Sequence, residues 1–333
     1  MDLKISRKVL RPRVDWFRPS PELELELKQI EARILHQASQ FDAGAEGYVR
    51  YALEGSGKRL RPALVLLAGK AAGGWNESIR DLAVIVELVH VASLIHDDVL
   101  DRAELRRSRA TCNAKWGTEL SVLLGDALFA HGLQLATKLE DPEVARKIAE
   151  ASRNLCEGEI LQTQRRFDLK MSTTDYLHLV GLKTGALFRA AAEVPFLLHR
   201  CSDTRREAAR SFGYQLGMAY QIYDDVLDLG GTDEESGKTL GTDLKKGKWT
   251  LPVLHALQSL PASESESLRA GLVDGAGEVV SKIQAAGGIR FSIRKAVDLL
   301  ERAKGDLQVL GDPHGDLHAL TGRLQEFFRQ WDG

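Results

Sequence analysis

A five-residue pattern occurs twice in this chain, and it strongly restricts the backbone that can carry it. Leu94-Ile95-His96 runs into Asp97-Asp98-Val99-Leu100-Asp101, and Gln221-Ile222-Tyr223 runs into Asp224-Asp225-Val226-Leu227-Asp228. On a helix, residues three and four apart are neighbours, so the three carboxylates of each copy point to one side. Like charges so close raise one another's pKa unless a cation sits among them. Carboxylates without Cys or paired His suit a hard, oxygen-seeking metal such as Mg²⁺. One Asp-Asp-x-x-Asp by itself is more often a solvated helix end. Two identical copies, each closing an apolar stretch, predict two helices that face one cavity and clamp a diphosphate between shared metals.

The rest of the chain is punctuated as helices. Ser20-Pro21-Glu22-Leu23-Glu24 reads as an N-cap, a proline at the first helical position and acids in the first turn, opening a helix to about Gln40. Tyr48 to Leu60 holds a short helix and the loop Gly55-Ser56-Gly57. Pro62 opens the next, which Gly73-Gly74 closes, and Asn76 caps the apolar helix that delivers the first acidic cluster. Arg102 to Thr111 is a polar, basic loop. Helices follow over Thr118 to Leu139, from Asp141-Pro142 to about Arg166, and from Thr173, with Pro195 kinking or ending that one. Asp203 precedes the helix that ends in the second acidic cluster. Gly230 to Lys248 is a long aperiodic loop, a length that is usually functional or disordered. Thr250 to Leu260, Gly288 to Asp306 and Leu317 to Trp331 finish the chain. Runs of alternating β-branched residues are lacking. The expectation is an all-α protein, residues 21–333 forming one domain after a mobile basic arm, 1–20.

Charge and cysteine content narrow the function. With 45 basic and 47 acidic side chains in 333 residues, the chain lacks the basic excess of a nucleic-acid binder. Its basic residues cluster locally, which suits an anionic small molecule. Cys112, Cys156 and Cys201 are scattered and odd in number, pointing to a reducing compartment, taken as the cytoplasm. No segment reaches the roughly 18–20 apolar residues of a membrane span. Leu82 to Ile95 comes closest, and it contains Glu87 and His90, so a buried core helix is expected. Met1 to Ser20 has no apolar core and does not read as a secretory signal.

The basic motifs fit a diphosphate. Gly57-Lys58-Arg59-Leu60-Arg61-Pro62 sets Lys58 and Arg61 three apart at a helix N-terminus, where phosphate is favoured. A nucleotide P-loop fails here: Ala52 stands five before Gly57, Arg59 follows Lys58, and no strand precedes the loop. Arg106-Arg107 follows the first acidic cluster; a solvated basic loop is the plain alternative. Lys183-Thr184-Gly185 lies in a helix, where a lysine commonly just reaches water. Gln221 shares the face of the second acidic cluster, and His90 lies two turns before Asp97; alone, each reads as an ordinary core polar group. Lys238 and Lys248 flank Asp243 and by themselves pass for a solvated lid.

Together these motifs, in this order, resemble the trans-isoprenyl diphosphate synthases, the polyprenyl synthetase family. The likeness spans about residues 45 to 255, and it includes Gly237-Lys238-Thr239-Leu240-Gly241-Thr242-Asp243-Leu244. It implies an all-helical bundle around a deep central cavity, usually a homodimer. It implies that Asp97, Asp98, Asp101, Asp224, Asp225 and Asp228 hold Mg²⁺, three ions per site with Mn²⁺ an acceptable substitute. Arg106, Lys183, Thr184, Gln221, Lys238 and Lys248 match positions contacting the allylic diphosphate. Lys58, Arg61, His90 and Arg107 match those holding isopentenyl diphosphate. In that chemistry the cations neutralise the departing diphosphate, the allylic cation is attacked by the second substrate's double bond, and pyrophosphate takes the proton.

The chain departs from the family pattern at Ser108 and Ala110, where Gly and Pro are usual, which puts the path of the Arg106–Thr111 loop in question. Chain length is set in the family just before the first acidic cluster. Here Ala92 and Ser93 are small, so the expected product is longer than farnesyl, with hexa- to octaprenyl preferred over geranylgeranyl. Two rivals remain. A terpene cyclase shares the fold, but its second motif differs from Asp228 and Thr232, and it would leave Lys58, Arg61 and His90 without purpose. A non-catalytic partner subunit tends to lose acidic residues, and all six are kept here.

Overall fold

The computed structural model describes residues 18–55, 57–230, 241–274 and 278–332. Helix α1 (Pro21–His36) starts where the cap signal put it, with Ser20 Oγ accepting from Leu23 N at 3.3 Å. It runs into a 3₁₀ turn, Gln37–Gln40, and α2 (Ala43–Leu53) begins on an Asp42 cap rather than at Tyr48. Helix α3 (Leu60–Ala72) starts two residues before Pro62, and α4 (Glu77–Leu100) is capped by Asn76, whose side chain accepts from Ile79 N.

The loop after α4 departs from expectation. Leu105–Arg106 and Arg109–Ala110 pair as a two-residue antiparallel hairpin, β1 and β2. Its turn residues, Arg107 and Ser108, both adopt positive φ, 52° and 62°. That is the handedness a tight hairpin turn requires, normally met with Asn or Gly. An Arg-Ser turn gives no such signal in sequence, so the strands were not foreseen.

Further helices are α5 (Cys112–Trp116), α6 (Thr118–Ala136), α7 (Pro142–Gln164) and α8 (Thr173–Val180). A capping box of Ser172 and Asp175 opens α8. The residues Gly181–Gly185 then widen into a π turn before α9 (Ala186–Leu198), and Pro195 sits inside α9 without ending it at once. Helix α10 (Asp203–Gly230) carries the second acidic cluster. The described remainder comprises α11 (Thr242–Lys245), α12 (Leu251–Ser259), α13 (Ala262–Asp274), α14 (Val279–Ala285), α15 (Gly288–Leu310) and α16 (Asp316–Asp332). Neither α13 nor α14 was expected. The arm before residue 18 and Lys238 lie outside the described residues.

Helices α4 and α9 are buried nearly all round, as an apolar helix in the middle of a bundle must be. Around them α3, α6, α7 and α10 pack, and α15 lies along α10. No helix among the described residues is long and apolar enough to cross a membrane.

The two polar positions inside the apolar run of α4 are both explained by α3. Arg59, at φ 47° just before α3, donates to buried Glu87 at 2.6 Å, to both oxygens of Glu31, and to Leu53 O at 3.0 Å. Its neighbour Arg61 donates from Nη1 to His90 Nε2 at 2.9 Å. Removing Arg59 would strand a buried carboxylate. Arg59→Met should therefore lose about 3–5 kcal/mol of stability in a denaturant titration. Adding Glu87→Leu should restore a good part of the loss; a single variant as stable as wild type would contradict the account.

Candidate active site

The first acidic cluster ends α4, and its three carboxylates meet different fates. Asp98 is buried and gripped by Arg106, whose Nε lies 2.9 and 3.0 Å from the two oxygens and whose Nη2 lies 2.8 Å from Oδ1. Burial pushes this carboxyl up, and Arg106 opposes the shift without cancelling it. Asp101 caps α4 and faces Arg166 Nη2 at 2.5 Å, Lys248 Nζ at 2.8 Å and Lys246 Nζ at 3.2 Å. Burial works to raise it, but Lys248 and Lys246 outweigh burial and hold it below the usual range. Asp97 is different again. Its Oδ2 lies 3.6 Å from Lys183 Nζ, and its buried Oδ1 has no hydrogen-bond partner among the described residues.

The second cluster sits on α10. Buried Asp225 accepts from Tyr176 OH at 2.5 Å and from Gln221 Nε2 at 2.8 Å, so both its oxygens are engaged. Burial, with Asp243 and Asp224 nearby, pushes its carboxyl up to about 8. Asp228 accepts from the main-chain N–H of Asp243 at 3.3 Å. Asp224 is half-buried, and its charge is felt by Arg61.

The π turn joins the two clusters. Adjacent residues on it reach opposite ways: Lys183 toward Asp97, Glu159 and Gln162, and Thr184 toward Gln221 Oε1 at 2.8 Å, hence to Asp225. Widening a helix by one residue re-aims successive side chains, which is a common use of such a turn. Gly158 makes the approach possible, since a Cβ there would lie 2.7 Å from Lys183 N. Burial lowers the pKa of the Lys183 ammonium against the pull of Asp97. A cavity beside this turn is lined by Tyr176, Lys183, Thr184, Gln221, Asp225 and Lys248 among others.

The third group forms at the start of α3. His90 is pushed well below its usual pKa by burial and by Arg61, so it is neutral and accepts from Arg61 at Nε2, which places its proton on Nδ1. Arg61 also lies 4.9 Å from the centre of the Phe188 ring, and its buried Nε has no partner among the described residues. The hairpin turn brings Arg107 against Gly57, where a Cβ would meet its guanidinium at 2.5 Å. Exposed Lys58 stands next to this pair. Thus Arg61, His90 and Arg107 lie close together as a basic edge, with Lys58 beside Gly57 in the adjoining loop.

Residues 44–286 match the polyprenyl synthetase family model. The octaprenyl diphosphate synthase of Escherichia coli strain K12 is 34% identical over 267 residues, covering 79% of this chain and 83% of the relative. The chain belongs to the polyprenyl synthetase family. A geranylgeranyl diphosphate synthase of Methanosarcina mazei is also 34% identical, again over 79% of this chain and 83% of that protein. The crystal structure of a polyprenyl synthase from Caulobacter crescentus CB15, complexed with calcium and isoprenyl diphosphate, superimposes with a TM-score of 0.85 at 32% identity, covering 96% of this chain and 98% of that one. The chain is accordingly a trans-prenyltransferase of the all-α isoprenyl synthase fold, a family whose substrates are isopentenyl diphosphate and an allylic diphosphate.

Several site residues escaped the sequence reading. Tyr176, Glu159, Gln162, Arg166 and Lys246 sit on ordinary helices or turns, and only folding brings Tyr176, Arg166 and Lys246 to the carboxylates and Glu159 and Gln162 to Lys183. Arg165-Arg166 and Lys245-Lys246 were visible as basic pairs, but nothing in their spacing aimed them at Asp101. Ala92 and Ser93 are buried on α4, outside the cavity lining, and Ser93 Oγ donates back to His90 O at 2.7 Å.

The raised Asp225 carboxyl has a measurable consequence without added metal. An unfolded Asp ionises near pH 3.9, whereas this one stays protonated to about 8. Its contribution to stability is therefore complete at acid pH and is lost as pH rises between those values. Asp225→Asn should reduce the fall in urea midpoint between pH 5 and pH 8; an unchanged fall would refute the assignment.

Proposed function

We propose that the two acidic clusters hold Mg²⁺ around an allylic diphosphate, and that this protein makes a polyprenyl product beyond geranylgeranyl. The observation that carries the metal reading is Asp97, whose buried Oδ1 has no partner among the described residues at the end of a largely apolar helix. An orphaned carboxylate oxygen in such a place fits a hard cation. Among the described residues no group of three or more metal-binding side chains is gathered closely enough to hold an ion alone. That suits Mg²⁺, which takes one or two carboxylates and completes its shell with water and substrate phosphate. The Caulobacter relative's calcium and isoprenyl diphosphate support the same reading. Three ions per site, with Mn²⁺ as a substitute, are part of this proposal.

Bound there, Mg²⁺ supplies positive charge to the departing diphosphate as the allylic carbon–oxygen bond breaks. Lys183, Arg106 and Lys248, held in place by Gln162, Asp98 and Asp101, aim donors at the same oxygens. Lys238, which lies outside the described residues, is assigned the same role on the family likeness alone. Thr184 and Gln221 present oxygen dipoles to the carbocation. Lys58, Arg61, His90 and Arg107 hold isopentenyl diphosphate with its double bond toward that carbon. After the new bond forms, pyrophosphate accepts the released proton, so no carboxylate base is needed.

Although Ala92 and Ser93 lie outside the lining of the cavity described above, their small size about one turn before Asp97 supports the longer product. The outer face of α6 and α7 exposes Val122, Leu123 and Ile160, an apolar patch that supports a homodimer. Three unpaired cysteines agree with a cytoplasmic setting.

Purified protein given Mg²⁺, labelled isopentenyl diphosphate and a farnesyl or geranylgeranyl primer should form products longer than twenty carbons by mass spectrometry. No elongated product with any primer would sink the synthase reading, and a cyclic hydrocarbon made without isopentenyl diphosphate would favour the cyclase. Asp97→Ala should lower kcat about a thousandfold with the circular dichroism spectrum unchanged. Ala92→Phe should shift the products to shorter chains at similar primer consumption; identical product lengths would remove Ala92 from chain-length control.

A further inference from the structure

Asp101 carries one negative charge and faces three cations, Arg166, Lys246 and Lys248, all within 3.2 Å. That set holds two positive charges more than its carboxylate can neutralise. The excess is built in, because the three cations come from two segments that are tied to each other. Arg166 lies just beyond α7, and Lys246 and Lys248 flank Gly247 in the turn after α11. The main-chain N–H of Phe167 donates to Gly247 O at 2.8 Å. Phe167 adopts φ 61°, and its ring lies on Gly247, where φ is 67° and a Cβ would sit 2.5 Å from the ring. Edge contact of Phe167 with Trp249 completes the strap. Both segments are thus held against the last carboxylate of the first cluster.

Arg166 also has capacity to spare. Among the described residues it reaches, besides Asp101, only Leu100 O, at 3.4 Å from Nη1, and its buried Nε has no partner there. A guanidinium presents donors in a planar fork that matches phosphate oxygens. A divalent ion approaching Asp101 must compete with these ion pairs for the same two oxygens. A diphosphate arriving beside Lys248 offers the displaced cations a better partner, since it carries several charges.

Building on the metal reading above, we propose that Arg166, assisted by Lys246, is a further diphosphate-binding residue that also competes with the divalent cation for Asp101. Its exchange from Asp101 to the diphosphate makes metal binding depend on the arrival of substrate. The two ligands then reinforce each other, because each removes an interaction that opposes the other.

The test is calorimetric and uses the full chain without turnover. Mg²⁺ alone, and then inorganic pyrophosphate at saturating Mg²⁺, are titrated into wild type and Arg166→Gln. Removing one competing charge should tighten Mg²⁺ binding in the absence of pyrophosphate by about three- to tenfold, while pyrophosphate binding weakens by about tenfold or more. Opposite signs are the signature, since a merely structural role for Arg166 would weaken both. Lys246→Gln should shift both affinities the same ways by less. Arg166→Lys, which keeps the charge, should leave Mg²⁺ affinity near wild type, and it serves as the second variant if Arg166→Gln melts early. Mg²⁺ affinity that is unchanged or weaker in a folded Arg166→Gln protein, or unchanged pyrophosphate affinity, would overturn the exchange alone. Wild-type protein that binds no Mg²⁺ even with pyrophosphate would overturn the metal reading and the exchange together.

Discussion

The arrangement depends on carboxylates placed near the C-terminal ends of two helices, α4 and α10. A charge at the end of an apolar helix such as α4 loses water on most sides, so every oxygen there needs a donor or a cation. The fold answers unevenly. Asp98 is gripped by Arg106, and Asp225 by Tyr176 and Gln221, so the middle residue of each triplet is fixed in place by the protein itself. Asp97 keeps an unengaged oxygen, and Asp101 is balanced by cations that sit on separate segments. Division of labour within one pentapeptide therefore comes from its surroundings rather than from its residues, which are alike.

Two local distortions deliver those surroundings. The π turn at Gly181–Gly185 lets Lys183 and Thr184, neighbours in sequence, serve different acidic clusters. The hairpin after α4, turned through Arg107 and Ser108, sends Arg106 back to Asp98 and Arg107 across to the Gly57 loop. Arg59 and Arg61, two apart, tie that loop to the two polar positions of α4. The basic edge and the acidic wall are consequently parts of one packed unit.

Much of this was legible in the residues. The caps at Ser20, Asn76 and Asp141 marked helix starts within a residue, because capping is a local interaction between a side chain and the next turn. The repeated Asp-Asp-x-x-Asp, with the order of basic motifs around it, identified the family. Less visible were α13 and α14, whose sequences lack strong periodicity and which are helical in the context of α12 and α15. The hairpin was hidden because its turn uses residues that do not favour positive φ. Pro195 read as a kink or an end of its helix, and it lies within α9 near that helix's last residue, Leu198.

By itself, the sequence determined the helical class, the family and the identity of the charged groups, since these follow from spacing and residue type along the chain. Tertiary structure alone decided the partners: that Glu87 answers Arg59, that Tyr176 holds Asp225, and that Arg166 and Lys246 converge on Asp101. The physical reason is range. Periodicity and capping act over one or two helical turns, whereas these pairings join residues 28 to 145 positions apart, and only packing of the helices can bring such groups within hydrogen-bond distance.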